Sequence, residues 1–367
     1  MIDRRLDYEL YRGIREGRRL PALCFVKNNA DLRYLEEKYN VVSRFPFIRA
    51  VGVELDYKGA IELSSSPYVE YLTCQPKVTT LDDESKESII DNTYLYDSVV
   101  EALGIETKLT GRGVTLCIMD TGVNTHSDLS IPRQRIKEFY DVENHLDYPY
   151  DDNGHGTFVA GVAAGNGILS GGKRRGVAPA CDIVGIKVIS KSGESGAFKV
   201  LEGMQWVLDN AKRLNIRVIC MSFGADPLEI NDPLKLGAET LVRNGITVVC
   251  AAGNSGAGGL KSPGISPYVI TVGAVDNMFE VAPFSSSGIY DGVKKPDIYA
   301  RGVGVTGIKR NGTYTVMSGT SVSAPYVAGA ACLALERCPT LTPAEIKRIL
   351  LTSCDYKNGR PVLDFNL

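Results

Sequence analysis

The hydrophobic pattern changes rhythm partway along the chain. Residues 20–27 form a β-type run, and 31–39 carry Leu32, Leu35 and Tyr39 at helical spacing among charges. Residues 45–55 alternate in strand fashion through Phe47, Ile48, Val51, Val53 and Leu55; 59–66 read as a second helix and 68–77 as a last strand. From 82 to 93 the chain is polar and acidic (Asp82-Asp83-Glu84-Ser85-Lys86-Glu87-Ser88) and reads as an exposed linker. Beyond it, the run at 114–119 is apolar without alternation and too short for a helix, and 183–189, 218–223, 247–252 and 269–275 are further β-type runs. Between them, 198–214, which holds Trp206, and 234–244 have helical spacing.

Strand, helix, two strands, helix, strand is the ferredoxin-like α+β order, expected for residues 1–81. Continuous rather than alternating apolar strands imply a sheet buried on both faces, hence an α/β body with a mostly parallel sheet and helices on both sides. The 367 residues suffice for such a body and a small companion domain, divided here as 1–81 and 82–367. Lys+Arg 41 against Asp+Glu 43, net charge -2, with no basic block, argues against nucleic acid as the main partner. No run of 18 apolar residues offers a membrane-spanning helix. The nine cysteines include no Cys-x-x-Cys pair; Cys117, Cys220 and Cys250 lie in apolar runs as small hydrophobes. With the polar opening Met1-Ile2-Asp3-Arg4-Arg5, this points to a reducing, cytoplasmic setting.

Three motifs stand at element boundaries. Asp120-Thr121-Gly122 follows the run 114–119, putting a carboxylate at a strand's carboxyl end, where open parallel sheets bind ligands. Alone, it reads more readily as an Asp that merely starts a turn. Asn153-Gly154-His155-Gly156-Thr157 opens a stretch rich in Ala and Gly, so His155 begins a buried helix with an accessible ring. With only three histidines in the chain (His126, His145 and His155), the choice of general base is narrow. Ser318-Gly319-Thr320-Ser321-Val322-Ser323-Ala324-Pro325 is a glycine turn into another small-residue helix, with Pro325 tolerated near a helix start. Ser321 would lie near free N–H groups that favour a developing oxyanion, although a hydroxyl there also serves as an N-cap.

Asp, His and Ser motifs in that order resemble the subtilisin-like serine proteases, whose chain order this is, over essentially all of residues 95–350. The resemblance implies that Ser321 is the nucleophile, His155 the general base and Asp120 the residue that orients the imidazole. Asn254, in Ala251-Ala252-Gly253-Asn254-Ser255-Gly256, matches the family's oxyanion-hole amide. Ser222, Phe223 and Gly224 look like the strand that pairs with an extended substrate, and with Ala252 and Gly253 would wall the S1 pocket, which takes the residue before the scissile bond. Gly196 resembles part of the opposing strand, with Phe198 lining S4. Lys261 falls near the S1 floor, where its stem would admit an apolar side chain or its ammonium an acidic one.

The amino-terminal unit resembles the family's inhibitory propeptide, which assists folding and blocks the cleft with its carboxyl end. Counting along 69–81 puts Leu81 in S1 and Val78 in S4, with self-cleavage between Leu81 and Asp82. Many members hold calcium, but the loop 167–176 contains three cations and no side-chain carboxylate, and Asp128 follows Asp120 one residue closer than the family pattern. No metal or other cofactor is therefore expected. Protein or peptide substrates and the chain's own amino-terminal unit are the expected partners, with the molecule a monomer. The alternative is a catalytically silent, protease-like binding or regulatory protein that retains its amino-terminal unit.

Overall fold

A computed structural model describes residues 1–14, 17–82 and 109–363; most of the expected linker, 83–93, lies outside these residues. Helix α1 (Arg4–Arg12) is capped by Asp3, whose carboxylate accepts the N–H groups of Arg5 and Leu6. Strands β1 (Leu20–Val26), β2 (Val41–Phe45), β3 (Ala50–Leu55) and β4 (Val69–Cys74) form an antiparallel sheet ordered β2-β3-β1-β4, with α2 (Ala30–Lys38) and α3 (Tyr57–Ser64) as crossovers. This is the ferredoxin-like arrangement. Ala22, Cys24 and Val26 face the unit's own helices, whereas Leu23 and Phe25 join Phe45 and Phe198 in the core shared with the body. Two buried faces make β1 continuously apolar.

The run 45–55 is not one strand. Pro46 lacks a donor and Arg49 takes a left-handed φ of 55°, so a tight turn over Pro46–Ile48 separates β2 from β3. The run 68–77 also breaks, since β5 (Lys77–Thr80) leaves for a different sheet.

The body is built on β6 (Thr115–Asp120), β7 (Ile136–Asp141), β8 (Asp182–Lys187), β10 (Ile216–Met221), β12 (Thr247–Ala251) and β13 (Ile270–Val275), extended by β16 (Ile298–Arg301), β19 (Asp355–Lys357) and β20 (Arg360–Val362). The order β19-β20-β16-β13-β12-β10-β6-β8-β7 is parallel except for the edge pair β19/β20. Leu116 and Ile118 face a core with α4 (His155–Ala164) and α7 (Thr320–Arg337). Cys117 and Met119 face the opposite core with α5 (Ala197–Leu214) and α6 (Pro233–Arg243). Helix α8 (Pro343–Thr352) packs outside α7. Short hairpins β14 (Gly288–Tyr290)/β15 (Val293–Lys295) and β17 (Val305–Lys309)/β18 (Thr313–Met317) complete the body.

The expected strand 218–223 ends at Met221. Its last residues form β11 (Phe223–Gly224), which lies in a three-stranded sheet ordered β11-β5-β9, with β9 at Glu194–Gly196. The chain's own β5 thus occupies the middle of a small antiparallel sheet at the carboxyl ends of the large sheet's strands.

Candidate active site

Asp120 ends β6 with its side chain fully buried; Oδ1 accepts the Thr121 N–H at 2.7 Å and lies 2.6 Å from His155 Nδ1. His155 is the first residue of α4. A Cβ on Gly156 would fall 2.1 Å from the Gly122 carbonyl oxygen and 2.9 Å from Asp120 Cβ, so only glycine lets the helix start approach the strand this closely. Asp151 fixes the approach. Its carboxylate accepts from the Thr121 hydroxyl (3.0 Å), Gly154 N–H (2.7 Å) and Thr157 N–H (2.9 Å), while Gly156 N–H donates to Thr121 Oγ1 (2.9 Å). The other histidines are elsewhere: His126 Nδ1 accepts the Asp128 N–H, and His145 is an exposed partner of Tyr140.

Burial pushes the Asp120 carboxyl up, opposed by the imidazole beside it. Burial also disfavours charge on His155, but the carboxylates of Asp120 and Asp82 outweigh it and raise the imidazole well above its ordinary 6.5.

Ser321 is the second residue of α7. Its N–H points at the Leu81 carbonyl oxygen, 3.4 Å away, and Asn254 Nδ2 donates to the same oxygen at 2.6 Å. Asn254 is held in that orientation by Thr320, whose N–H and hydroxyl donate to Oδ1 at 3.0 and 2.8 Å. A Cβ on Gly319 (φ 150°) would stand 2.4 Å from the Leu81 oxygen, so the carbonyl enters only past a glycine. Asp82 Oδ1 lies 2.8 Å from His155 Nε2 and accepts the Ser321 hydroxyl at 3.0 Å. Burial opposes charge on Asp82, yet His155 and the hydroxyl hold its carboxyl below the usual range.

The cleft around this carbonyl is lined as a strand-binding slot. Val78 pairs with Ser195, Lys77 with Gly196, Thr79 with Gly224 and Thr80 with Phe223. Val78 and Phe198 share one apolar cluster, although the Phe198 ring also packs on Phe45 (centroids 5.8 Å apart). Leu81 is buried. A Cβ on Gly224 would lie 2.6 Å from Lys261 Cβ and 3.3 Å from Leu81 Cδ1, and one on Gly253 2.8 Å from Lys261 Cγ. The Lys261 stem therefore flanks the pocket beside these glycines, with Ala252 buried behind, while Nζ is tied to the exposed Asp226 at 2.6 Å.

Ser222 directly precedes the paired residues Phe223 and Gly224, and its hydroxyl donates to the Ser321 carbonyl at 2.8 Å. Pro325, inside α7 and four residues on, lacks the N–H that would normally bond that carbonyl. Ser222→Ala would orphan a buried acceptor, so the chain should lose about 1–3 kcal/mol of stability, measured as a lower urea midpoint.

Three contributors escaped the sequence reading: Asp151, Thr320 and the Asp82 side chain. Asp151 left a signal, an Asx residue three positions before the Gly154-His155-Gly156 turn. Thr320 and Asp82 left none. Of the residues considered for calcium, Asp128 is engaged within the protein: its two oxygens accept from the Leu169 N–H (2.9 Å) and the Tyr314 hydroxyl (2.5 Å). Among the described residues there is no group of three or more His, Cys, Asp or Glu able to hold a metal.

Comparison with known proteins agrees with this arrangement. A family model described as the Subtilase family matches residues 111–366. The chain is 40% identical over 287 residues to serine protease AprX of Bacillus subtilis (strain 168), covering 69% of this chain and 64% of that protein, just under two thirds of its length. It is 31% identical over 332 residues to subtilisin E of the same organism, covering 88% and 79%. A solved cold-adapted subtilisin-like serine proteinase superposes with TM-score 0.60 at 30% identity, over 71% of this chain and 92% of that one. Fervidolysin from Fervidobacterium pennivorans superposes with TM-score 0.72 over 95% of this chain and 60% of that one; at 21% identity the likeness is one of fold.

Proposed function

The chain belongs to the subtilase family, and from that premise we propose that it is a serine endopeptidase, made as a precursor that cuts itself between Leu81 and Asp82. The observation that carries this reading is the Leu81 carbonyl, held by Asn254 Nδ2 and the Ser321 N–H beside the Ser321 hydroxyl. Ser321 Oγ attacks the carbonyl carbon and His155 Nε2 takes the hydroxyl proton. The resulting oxyanion lies against Asn254 and the Ser321 N–H. His155 then gives its proton to the leaving amine, leaving an acyl-enzyme that water hydrolyses. Asp120, bonded to Nδ1, keeps Nε2 as the basic nitrogen and stabilises the imidazolium.

In this reading residues 1–81 are the inhibitory unit, with β5 filling the slot that an extended substrate would take by main-chain pairing. Leu81 then marks the pocket as apolar. Lys261 contributes its stem and its charge is satisfied by Asp226 outside. Peptides with Leu before the scissile bond should be cut with kcat/KM at least about tenfold above otherwise identical peptides with Glu, since a carboxylate entering must desolvate against an ammonium already paired. Comparable values for the two would refute an apolar pocket. Nine free cysteines support a reducing compartment as the working environment.

A fluorophosphonate probe tests the whole reading. It should label the matured protein and spare Ser321→Ala, and amino-terminal sequencing should begin at Asp82. An unlabelled protein, with residues 1–81 removed, would instead favour a silent binding protein.

A further inference from the structure

In the mechanism just given, Ser321 Oγ and His155 Nε2 must bond to each other for the serine to lose its proton. One oxygen belonging to neither stands within bonding reach of both: Asp82 Oδ1, 2.8 Å from Nε2 and 3.0 Å from Oγ. The serine hydroxyl donates to this carboxylate, so its proton is aimed away from the ring. The imidazole meanwhile has Asp120 bonded at Nδ1 and the Asp82 carboxylate standing beside Nε2 as an ion-pair neighbour.

We propose that Asp82 is a brake on its own release: a carboxylate directly after the scissile bond separates the serine from its base, so the Leu81–Asp82 bond is cut slowly. The same contact makes an acidic residue at the first leaving-side position of any substrate unfavourable. The inference rests on the reading of the chain as a protease and specifies how that site is regulated. It needs no change in chemistry. The bonds that form and break are those of ordinary acyl transfer, and Asp82 only competes for the hydroxyl proton and stabilises the imidazolium, which cannot accept one.

The groups facing His155 give the sign of the pH dependence. Asp120 approaches from β6, Asp82 from the segment after β5, and Ser321 from α7; Asp151 acts in turn on Asp120, whose charge also bears on the buried Cys220 thiol. An imidazole raised above its ordinary 6.5 by Asp120 and Asp82 holds its proton to higher pH than a free one and becomes a base as pH rises. Each unit of that rise removes about tenfold of the neutral form below the pKa. Self-cleavage of the parent chain should therefore accelerate with increasing pH. Asp82→Asn and Asp82→Ser should move the acid limb to lower pH.

The test starts the full chain from denaturant and follows intact mass with time at several pH values, for the parent, Asp82→Asn and Asp82→Ser. At pH 7 both variants should be cut about tenfold faster or more. The matured parent enzyme, assayed on peptides differing only in Leu-Asp, Leu-Asn or Leu-Ser at the scissile bond, gives a second measurement free of refolding. Leu-Asp should be the slowest, by a loss in kcat. Equal or slower cutting of the variants, with equal peptide rates, overturns the brake while leaving the protease reading intact. Failure of every sample to cut itself or hydrolyse the Leu-Ser peptide overturns both.

Discussion

Ser321→Ala should yield one uncut mass from a preparation in which the parent gives two fragments, and hydrolysis of a Leu-containing peptide should fall about 10⁶-fold in kcat. That magnitude is the one obtained for the nucleophile of subtilisin itself. It is large because, on the proposed reading, Oγ forms the covalent bond that divides one difficult step into two. The hydroxyl is the group beside the Leu81 carbonyl that also reaches Asp82 and, through it, the His155 region, and it sits at a helix start whose other donors serve the oxyanion. Slow residual hydrolysis is expected, since Asn254 and the Ser321 N–H persist in the variant. A variant that still cut itself between Leu81 and Asp82 at the parent's rate would refute Ser321 as nucleophile.

Asn254→Ala is the second large effect, a fall of about 10²–10³ in kcat, or roughly 3–4 kcal/mol of transition-state stabilisation, with KM little changed; the scale again derives from the equivalent amide of subtilisin. The amide donates at 2.6 Å to an oxygen that is only partly negative in the ground state and fully so in the tetrahedral adduct, so its loss is felt chiefly in the transition state. Thr320 fixes which end of the amide faces the carbonyl, because both its donors take Oδ1. Kinetics on the Leu peptide would show the effect; an equal rise in KM with kcat preserved would mean that Asn254 merely binds substrate.

What the sequence revealed and what it withheld follow from the range of the forces involved. Strands such as 114–119 were legible because Leu116 and Ile118 meet one helical layer and Cys117 and Met119 the other, so the apolar positions run on without alternation. His155 and Ser321 were legible because glycines needed for close approach, Gly156 and Gly319, stand beside them in the chain. Features made by distant partners were not. The run 218–223 looks uniformly strand-like, yet Phe223 and Gly224 leave the large sheet to pair with Thr80 and Thr79, far away in sequence. The bond from the Ser222 hydroxyl to the Ser321 carbonyl was hidden because it depends on Pro325, far along the chain, having no N–H to offer that carbonyl. The break of 45–55 into two strands turns on Pro46 and the left-handed Arg49, which an alternating apolar pattern conceals. Asp82 reads from composition as one acid among many in a solvated stretch; its contact with two groups from opposite ends of the body exists only in the folded chain.

The tail that fills the cleft is paired along both of its edges, and its parent unit is anchored separately through Phe45 on Phe198 and through the Ser43 hydroxyl on Glu202. On the proposed reading, severing the Leu81–Asp82 bond would end the tether without dismantling the grip. Before such a cut the blocker would sit at a fixed effective concentration that dilution cannot alter; afterwards it would be a free ligand whose occupancy obeys mass action. Onset of activity should then show a lag that shortens as the sample is diluted, and lengthens again when isolated residues 1–81 are added back.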